Sequence, residues 1–270
     1  QADREGDLLP CRRPEPRWTM DAMSEASARP RGTRDRWRHR RPRPGTWPTV
    51  LEAMARIAGN VVAAPVRRSQ TNRWGATDAE VAEELPGDEL IPYPKMSSTR
   101  AITIGVPPEV VWAWLSQIGH GRGGLYSYDD LENLMGCDLH SADRILEGLP
   151  PFGPGDLVGL GPEGYPAFRV ASVDPPGSLV LLGADPKTRE APEVPVAAAA
   201  NGSTWAWRLQ PIAGGAATRL VARQRYCYPP SMSVLWHVVE PIDFVMERRM
   251  LFGIKERAER QSAGERAARI

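Results

Sequence analysis

The chain has 270 residues, 41% hydrophobic and 25% charged, with 34 Lys and Arg against 33 Asp and Glu for a net charge of +1. Such a length bounds the answer to one large domain or two small ones, and so even a balance announces neither a nucleic-acid binder nor an enzyme for acidic substrates. The average hides a split: residues 12–43 hold eleven arginines and four acidic residues, which leaves the remainder mildly acidic.

Residues 1–46 read as a disordered Arg/Pro-rich tail, too poor in branched apolar residues to offset the entropy of ordering. Met20 or Met23 is a candidate start position, and no signal-peptide pattern opens the chain. Residues 47–73 form an amphipathic helix and linker. Val50, Leu51, Met54, Ile57, Ala58, Val61 and Val62 follow helical spacing, and Pro65 is expected to end the helix. Two fates are open to it, docking on the domain or lying on a membrane surface. Glu52, Arg56 and Asn60 interrupt the only run approaching a membrane span.

The folded domain is expected over 74–262, with a flexible C-terminus at 263–270. Thr77 and Glu80 have the spacing of a capping box, which opens a short helix ending by Leu85. A strand is predicted over 99–106, with Arg100, Ile102, Ile104 and Val106 on one face. Pro107 and Pro108 then open a helix to Ile118. A second helix is predicted from about Ser127 or Tyr128 to Met135, and a third over 141–146. From Gly153 onward, period-two segments bounded by Pro/Gly turns give strands at 156–160, 167–173, 178–182, 203–211 and 218–228. A mobile proline- and alanine-rich loop is expected at 184–202. The chain closes with a helical region from about Ser231 to Arg260, divided by Pro241. Strands grouped apart from helices argue for an α+β domain with an antiparallel sheet, and only the terminal helix is long enough to cover it.

Several stretches carry a family resemblance: QIGHGRGGLYSYDDLENL from Gln117 to Leu134, WGATDAEV at 74–81, LPGDELIP at 85–92, TRAITI at 99–104, PPEVVWAWL at 107–115 and MERRMLFGIKERAE at 246–259. Over about residues 74–260 the chain resembles a prokaryotic branch of the START-like or SRPBCC superfamily, the polyketide cyclase and lipid-transport-like proteins. The resemblance implies a helix-grip fold, an antiparallel sheet wrapped around a long C-terminal helix with short helices after the first strand. It does not fix a reaction, because members include lipid carriers, hormone-binding proteins and aromatase/cyclases.

Gly119 to Gly124 matches G-x-G-x-x-G, but it follows a helix rather than a strand and reads as a flexible turn, not a dinucleotide site. Arg122 beside it either anchors an anion near Tyr126 and Tyr128 or pairs with Asp129, Asp130 or Glu132. Cys137, Asp138 and His140, with His120 and Asp143, lack the spacing of a zinc set, and no metal or cofactor is expected. The cysteines Cys11, Cys137 and Cys227 are odd in number and far apart, which fits a reduced cytoplasmic protein. Trp205 and Trp207 share one strand face; Gln224 and Tyr226 share one face of the next strand with Leu220 and Ala222, opposite Arg223 and Arg225.

The expected function is the binding of a small hydrophobic ligand, lipid-like, polyketide-like or aromatic, between sheet and terminal helix. The candidate ligand contacts are Ile102, Ile104, Gln117, Arg122, Tyr126, Tyr128, Trp205, Trp207, Gln224, Tyr226, Met246 and Met250. The same residues could instead pack against the helix with no space between. Two alternatives stand beside this reading. One is a cyclase, dehydratase or hydrolase in the same cavity. The other is an interaction protein recruited by the basic tail to lipid or nucleic acid, with weak membrane contact through 48–68. No specific nucleic-acid partner is expected, and the oligomeric state is not legible.

Overall fold

A computed structural model describes residues 47–268 apart from residue 199; for 47–49, 64 and 65 it describes the backbone only. The tail expected over 1–46, Cys11 included, lies outside the described residues.

The elements in chain order are α1 (Trp47–Asn72), α2 (Asp78–Ala82), β1 (Met96–Ile104), α3 (Pro108–Leu115), α4 (Asp129–Leu134), β2 (Leu157–Gly159), β3 (Ala167–Asp174), β4 (Ser178–Ala184), β5 (Gly202–Ile212), β6 (Ala217–Cys227) and α5 (Ser233–Ala267). Six antiparallel strands form one sheet in the order β1-β6-β5-β4-β3-β2. The last strand thus returns to pair with the first, Ile102 opposite Leu220 and Met96 opposite Tyr226. The 35-residue α5 lies against the inner face, the helix-grip arrangement.

Alternation along β6 decides which residues face α5. Leu220 and Ala222 join the core beneath the helix. Arg219, Arg223 and Arg225 point to the outer face, where a strap over 77–91 covers them. Arg219 bridges Glu80 at 2.7 Å, Arg223 bridges Asp88 at 2.6 Å and Arg225 bridges Asp88 at 2.9 Å. Leu85 packs with Ala101 and Val221 on the same side. Both sheet faces are therefore covered, one by a helix and one by an ion-paired strap. The strap is opened by the expected capping box, with both Thr77 and Glu80 bonds formed.

Four local expectations are corrected. Pro65 does not end α1, and Pro241 does not divide α5. Proline removes one backbone donor from a helix interior, but here each helix is held on both sides of it. Arg68 and Asn72 on α1 bind Glu240, and Asp243, two residues beyond Pro241, binds Arg100 of β1. Residues 141–146 are not helical, because the Gln117 amide clamps them: its Oε1 accepts from Leu146 N at 2.9 Å and its Nε2 donates to Arg144 O at 3.3 Å. Within the 184–202 loop, Val196 is buried against Ile91, Leu182 and Cys227, and its N–H bonds Leu90 O, so this part of the loop is docked.

Helix α1 docks along α5. Val50 and Ala53 are buried and Arg68 reaches Glu240, so docking is the fate taken by this face of the helix. Among the described residues no helix is long and apolar enough to cross a membrane.

Candidate functional site

The sheet register sets up a row across the inner face, Arg100 on β1, Ala222 on β6 and Trp207 on β5. The neighbouring row runs Ser98, Gln224, Trp205 and Leu181. Ala222 is the smallest of its row and separates an arginine from a tryptophan. Over these rows α5 extends Asp243 and Glu247, four residues apart and therefore on one helix face.

Glu247 is the centre of what results. Its Oε1 accepts from Trp205 Nε1 at 2.7 Å and Gln224 Nε2 at 3.1 Å, and its Oε2 from Arg100 Nη1 at 2.5 Å. Arg100 also donates to Asp243 at 2.8 Å and, through Nε, to Thr71 O at the end of α1 at 3.1 Å. Tyr226 OH donates to Gln224 Oε1 at 2.6 Å. Two carboxylates thus share one buried guanidinium. Burial pushes the Glu247 carboxyl up to about 7; Arg100 pulls it down and Asp243 pushes it further up. Burial opposes the Arg100 charge, but Glu247 and Asp243 together outweigh it and raise its pKa. Tyr226 is raised well above its ordinary value by burial and by the same two carboxylates.

Beyond this centre the interior beneath α5 is lined mainly by apolar side chains. Trp205 and Trp207 lie with ring centroids 4.8 Å apart, and they share one core cluster with Ile102, Ile104, Met250, Leu251 and Ile254. Trp205, Trp207 and Met250 are the bulkiest of the candidate contacts that line the space beneath the terminal helix. Two donors in the first row, Trp207 Nε1 and Arg100 Nη2, are buried without an acceptor among the described residues.

The structure brings Trp205, Trp207, Gln224, Tyr226, Ile102, Ile104 and Met250 to this interior. Tyr126 belongs to the same core cluster, while Gln117, Arg122, Tyr128 and Met246 lie outside it. Gln117 donates to Tyr126 OH at 2.8 Å, and that hydroxyl donates to Trp114 O at 3.1 Å, a buried clamp separate from Glu247. Tyr126 packs so closely on α5 that a Cβ on Gly253 would lie 2.1 Å from Tyr126 O. Arg122 stacks over Phe152 at 4.2 Å and donates to Ser116 O and Pro150 O, so it holds loops together rather than guarding a mouth. The Gly119–Gly124 turn is closed by a backbone bridge, and a Cβ on Gly124 would lie 2.7 Å from His140 O. Met246 receives the Ser127 hydroxyl on its carbonyl at 3.1 Å and is half-buried.

Tyr128 faces a different space, a cleft of about 580 Å³ on the outside of α5, lined also by Arg56, Ser127, Arg248 and Phe252. The guanidinium of Arg248 lies 5.1 Å from the Trp74 ring and 4.9 Å from that of Phe252. This cleft is roomy and polar, and it is lined by residues other than those of the buried Glu247 centre. His140 and His120 approach Asp138 at 3.2 and 3.8 Å. Among the described residues no group of three ligating side chains is placed to hold a metal ion.

Sequence reading missed Glu247 and Asp243, and it treated Arg100 only as a strand-face residue. The signal was present: Arg100 alternates with Ile102 and Ile104, which puts a cation on the buried face, and a buried cation requires an acid opposite it.

No family model matches the chain, and no curated protein matches it. Solved structures are similar at low identity. Protein MLL2253 from Mesorhizobium loti is 15% identical, with 61% of this chain and 98% of that one covered at a TM-score of 0.35. CalU16 from Micromonospora echinospora is 14% identical, with 62% and 86% covered at 0.28. DynU16, a protein of the dynemicin biosynthetic locus, is 16% identical, with 58% of this chain and 46% of that one covered at 0.32.

Proposed function

We propose that the protein binds a small, largely hydrophobic molecule with a polar tip, seated between the sheet and α5 with its tip at the Glu247 centre. The observation that carries this reading is the spare donor capacity in the first inner row. Trp207 Nε1 and Arg100 Nη2 are buried and lack acceptors among the described residues, where the polar Glu247 centre borders the apolar core. An unpaired buried donor costs about 1–3 kcal/mol, so a partner for either one stabilises the site. Polar atoms of a ligand would satisfy them. Apolar contact with Trp205 and Trp207 would supply most of the affinity. The test is native mass spectrometry of the purified chain, with solvent extraction, and displacement of anilinonaphthalene sulfonate. A reproducible bound mass released by extraction is the expected result. A uniformly unliganded mass together with no dye binding defeats the reading.

A second reading, proton-transfer chemistry at the same centre, is favoured by the Glu247 carboxyl, which burial pushes up to about 7. A carboxyl in that range serves as acid and as base near neutral pH. A cyclase or dehydratase acting on a carbonyl compound would use it so, with Arg100 facing developing negative charge. Once a ligand is known, Glu247→Gln separates the readings: binding retained with turnover lost supports chemistry, and no turnover in the parent protein removes it.

A further inference from the structure

The cleft outside α5 is walled by three elements. Arg56 of α1, Asp129 and Leu131 of α4, and Arg248 and Phe252 of α5 line it, with Tyr128 just before α4. Its volume of about 580 Å³ suits a small organic molecule. Most of its charged groups are committed to partners. Arg56 bridges Glu52 at 2.7 Å and Arg249 bridges Glu256 at 3.0 Å. Arg257 donates to Ala142 O at 2.8 Å and to Gly253 O at 3.2 Å. Both oxygens of Asp129 are taken by Ser141, through its N–H and its hydroxyl, each at 2.6 Å. Arg248 is different. Its guanidinium lies 5.1 Å from the Trp74 ring and 4.9 Å from the Phe252 ring, and the two rings meet edge to face at 5.5 Å. Among the described residues it has neither a carboxylate partner nor a hydrogen-bond acceptor. Aromatic rings attract a cation without consuming its N–H groups, so the guanidinium is held in place while its planar fork of donors is left over. Burial lowers the Arg248 pKa and the like charge of Arg56 lowers it further, while Tyr128 acts in the opposite direction. The Tyr128 hydroxyl also has no hydrogen-bond partner among the described residues.

We propose that this cleft binds the carboxylate of a small organic acid, the Arg248 fork and the Tyr128 hydroxyl donating to its oxygens and its apolar body resting against Leu131 and Phe252. A guanidinium edge matches a carboxylate with two parallel N–H bonds, and the ligand's charge would offset the repulsion between Arg248 and Arg56. The acids of the same lining select among anions. Asp129 and Asp130 oppose a doubly charged phosphate ester more strongly than a singly charged carboxylate. Arg122, expected from the sequence to anchor an anion near Tyr128, is tied to the carbonyls of Ser116 and Pro150. The guanidinium with donors to spare in the cleft of Tyr128 is that of Arg248. The site lies outside the Glu247 centre, so the proposal goes beyond the reading above and stands without it.

The test adds benzoate, phenyl phosphate and benzyl alcohol, which share a ring and differ in charge, to the full chain at low salt and follows binding by ligand-observed NMR. Benzoate should bind in roughly the millimolar range or tighter, ahead of phenyl phosphate, with benzyl alcohol weakest. Rising salt should weaken benzoate binding. Arg248→Gln should lower benzoate affinity by roughly tenfold or more. Arg248→Lys should restore only part of it, because a point charge lacks the fork. Arg248 also packs on two rings, so if its variants lower the thermal midpoint the decision passes to Tyr128→Phe, which keeps the ring and should weaken benzoate by about threefold. Four results overturn the proposal: no benzoate binding, benzyl alcohol bound as tightly as benzoate, phenyl phosphate bound more tightly, or benzoate affinity unchanged in a folded Arg248→Gln variant or in Tyr128→Phe.

Discussion

Glu247 of α5 and Arg100 of β1 form an ion pair across the grip, with side chains 2% and 0% exposed. Pairs this deep are seldom the most stable choice for a core, because desolvation of both charges opposes their attraction. Asp243 adds a second acid to the same guanidinium. Burial first, with Asp243 beside it, keeps a proton on Glu247 up to about pH 7 against the pull of Arg100.

That proton makes stability depend on pH. The folded-state pKa of Glu247 is raised from 4.5 to about 7, so between those values the folded chain retains a proton that the unfolded chain has released. Stability should fall as pH rises from about 4.5 to about 7, by on the order of 3 kcal/mol for this group alone. Urea unfolding of the parent and of Glu247→Gln across that window checks it. The variant should lose this segment of the pH dependence, and parallel profiles would assign the dependence to other groups.

Arg100→Met should be among the most damaging single changes. It leaves Glu247 and Asp243 without their shared cation, and stranding a buried charge costs about 3–5 kcal/mol. Adding Glu247→Gln to Arg100→Met should recover part of the loss, because the remaining amide carries no charge. A double-mutant cycle from denaturant midpoints gives the coupling. Strict additivity of the two losses would mean that the pair is not energetically linked.

Gln117→Ala tests the clamp that replaced a predicted helix. The Leu146 N–H would lose its acceptor, while Tyr126 OH keeps its bond to Trp114 O. A cost of about 1–3 kcal/mol is expected for the groups left unpaired. Hydrogen exchange should show the Leu146 amide losing protection while the sheet amides keep theirs.

Strand alternation made much of the fold legible, because a period of two identifies the buried face wherever one face is apolar. Leu220, Ala222, Gln224 and Tyr226 were assigned correctly to one face of β6, opposite Arg223 and Arg225. What sequence could not supply was the partner of each polar residue. Gln117 and Tyr126 were candidate ligand contacts, and here they bond each other. Arg100 gave the reverse case: its acids lie 143 and 147 residues away on α5, at a distance no local pattern reaches. The two prolines misled for a related reason. Local preference argues for a break at Pro65 and Pro241, and tertiary contacts to Glu240 and Arg100 hold both helices together.

Trp205→Phe isolates one bond of the centre. An aromatic ring stays, so part of the packing against Trp207 and Phe168 is kept, while the N–H to Glu247 Oε1 is removed along with the rest of the indole. That donor favours the charged carboxylate and holds its pKa down. Without it the protonated form gains, and the pKa of Glu247 should move further above its parent value. The pH at which stability stops falling should rise with it, as followed by thermal unfolding in closely spaced buffers. Gln224 Nε2 remains on the same oxygen at 3.1 Å, so the shift should be partial and should grow when Gln224→Leu is added. A midpoint that stays fixed in both variants would show that the indole N–H does not tune this carboxyl, and that burial, Arg100 and Asp243 set its proton affinity.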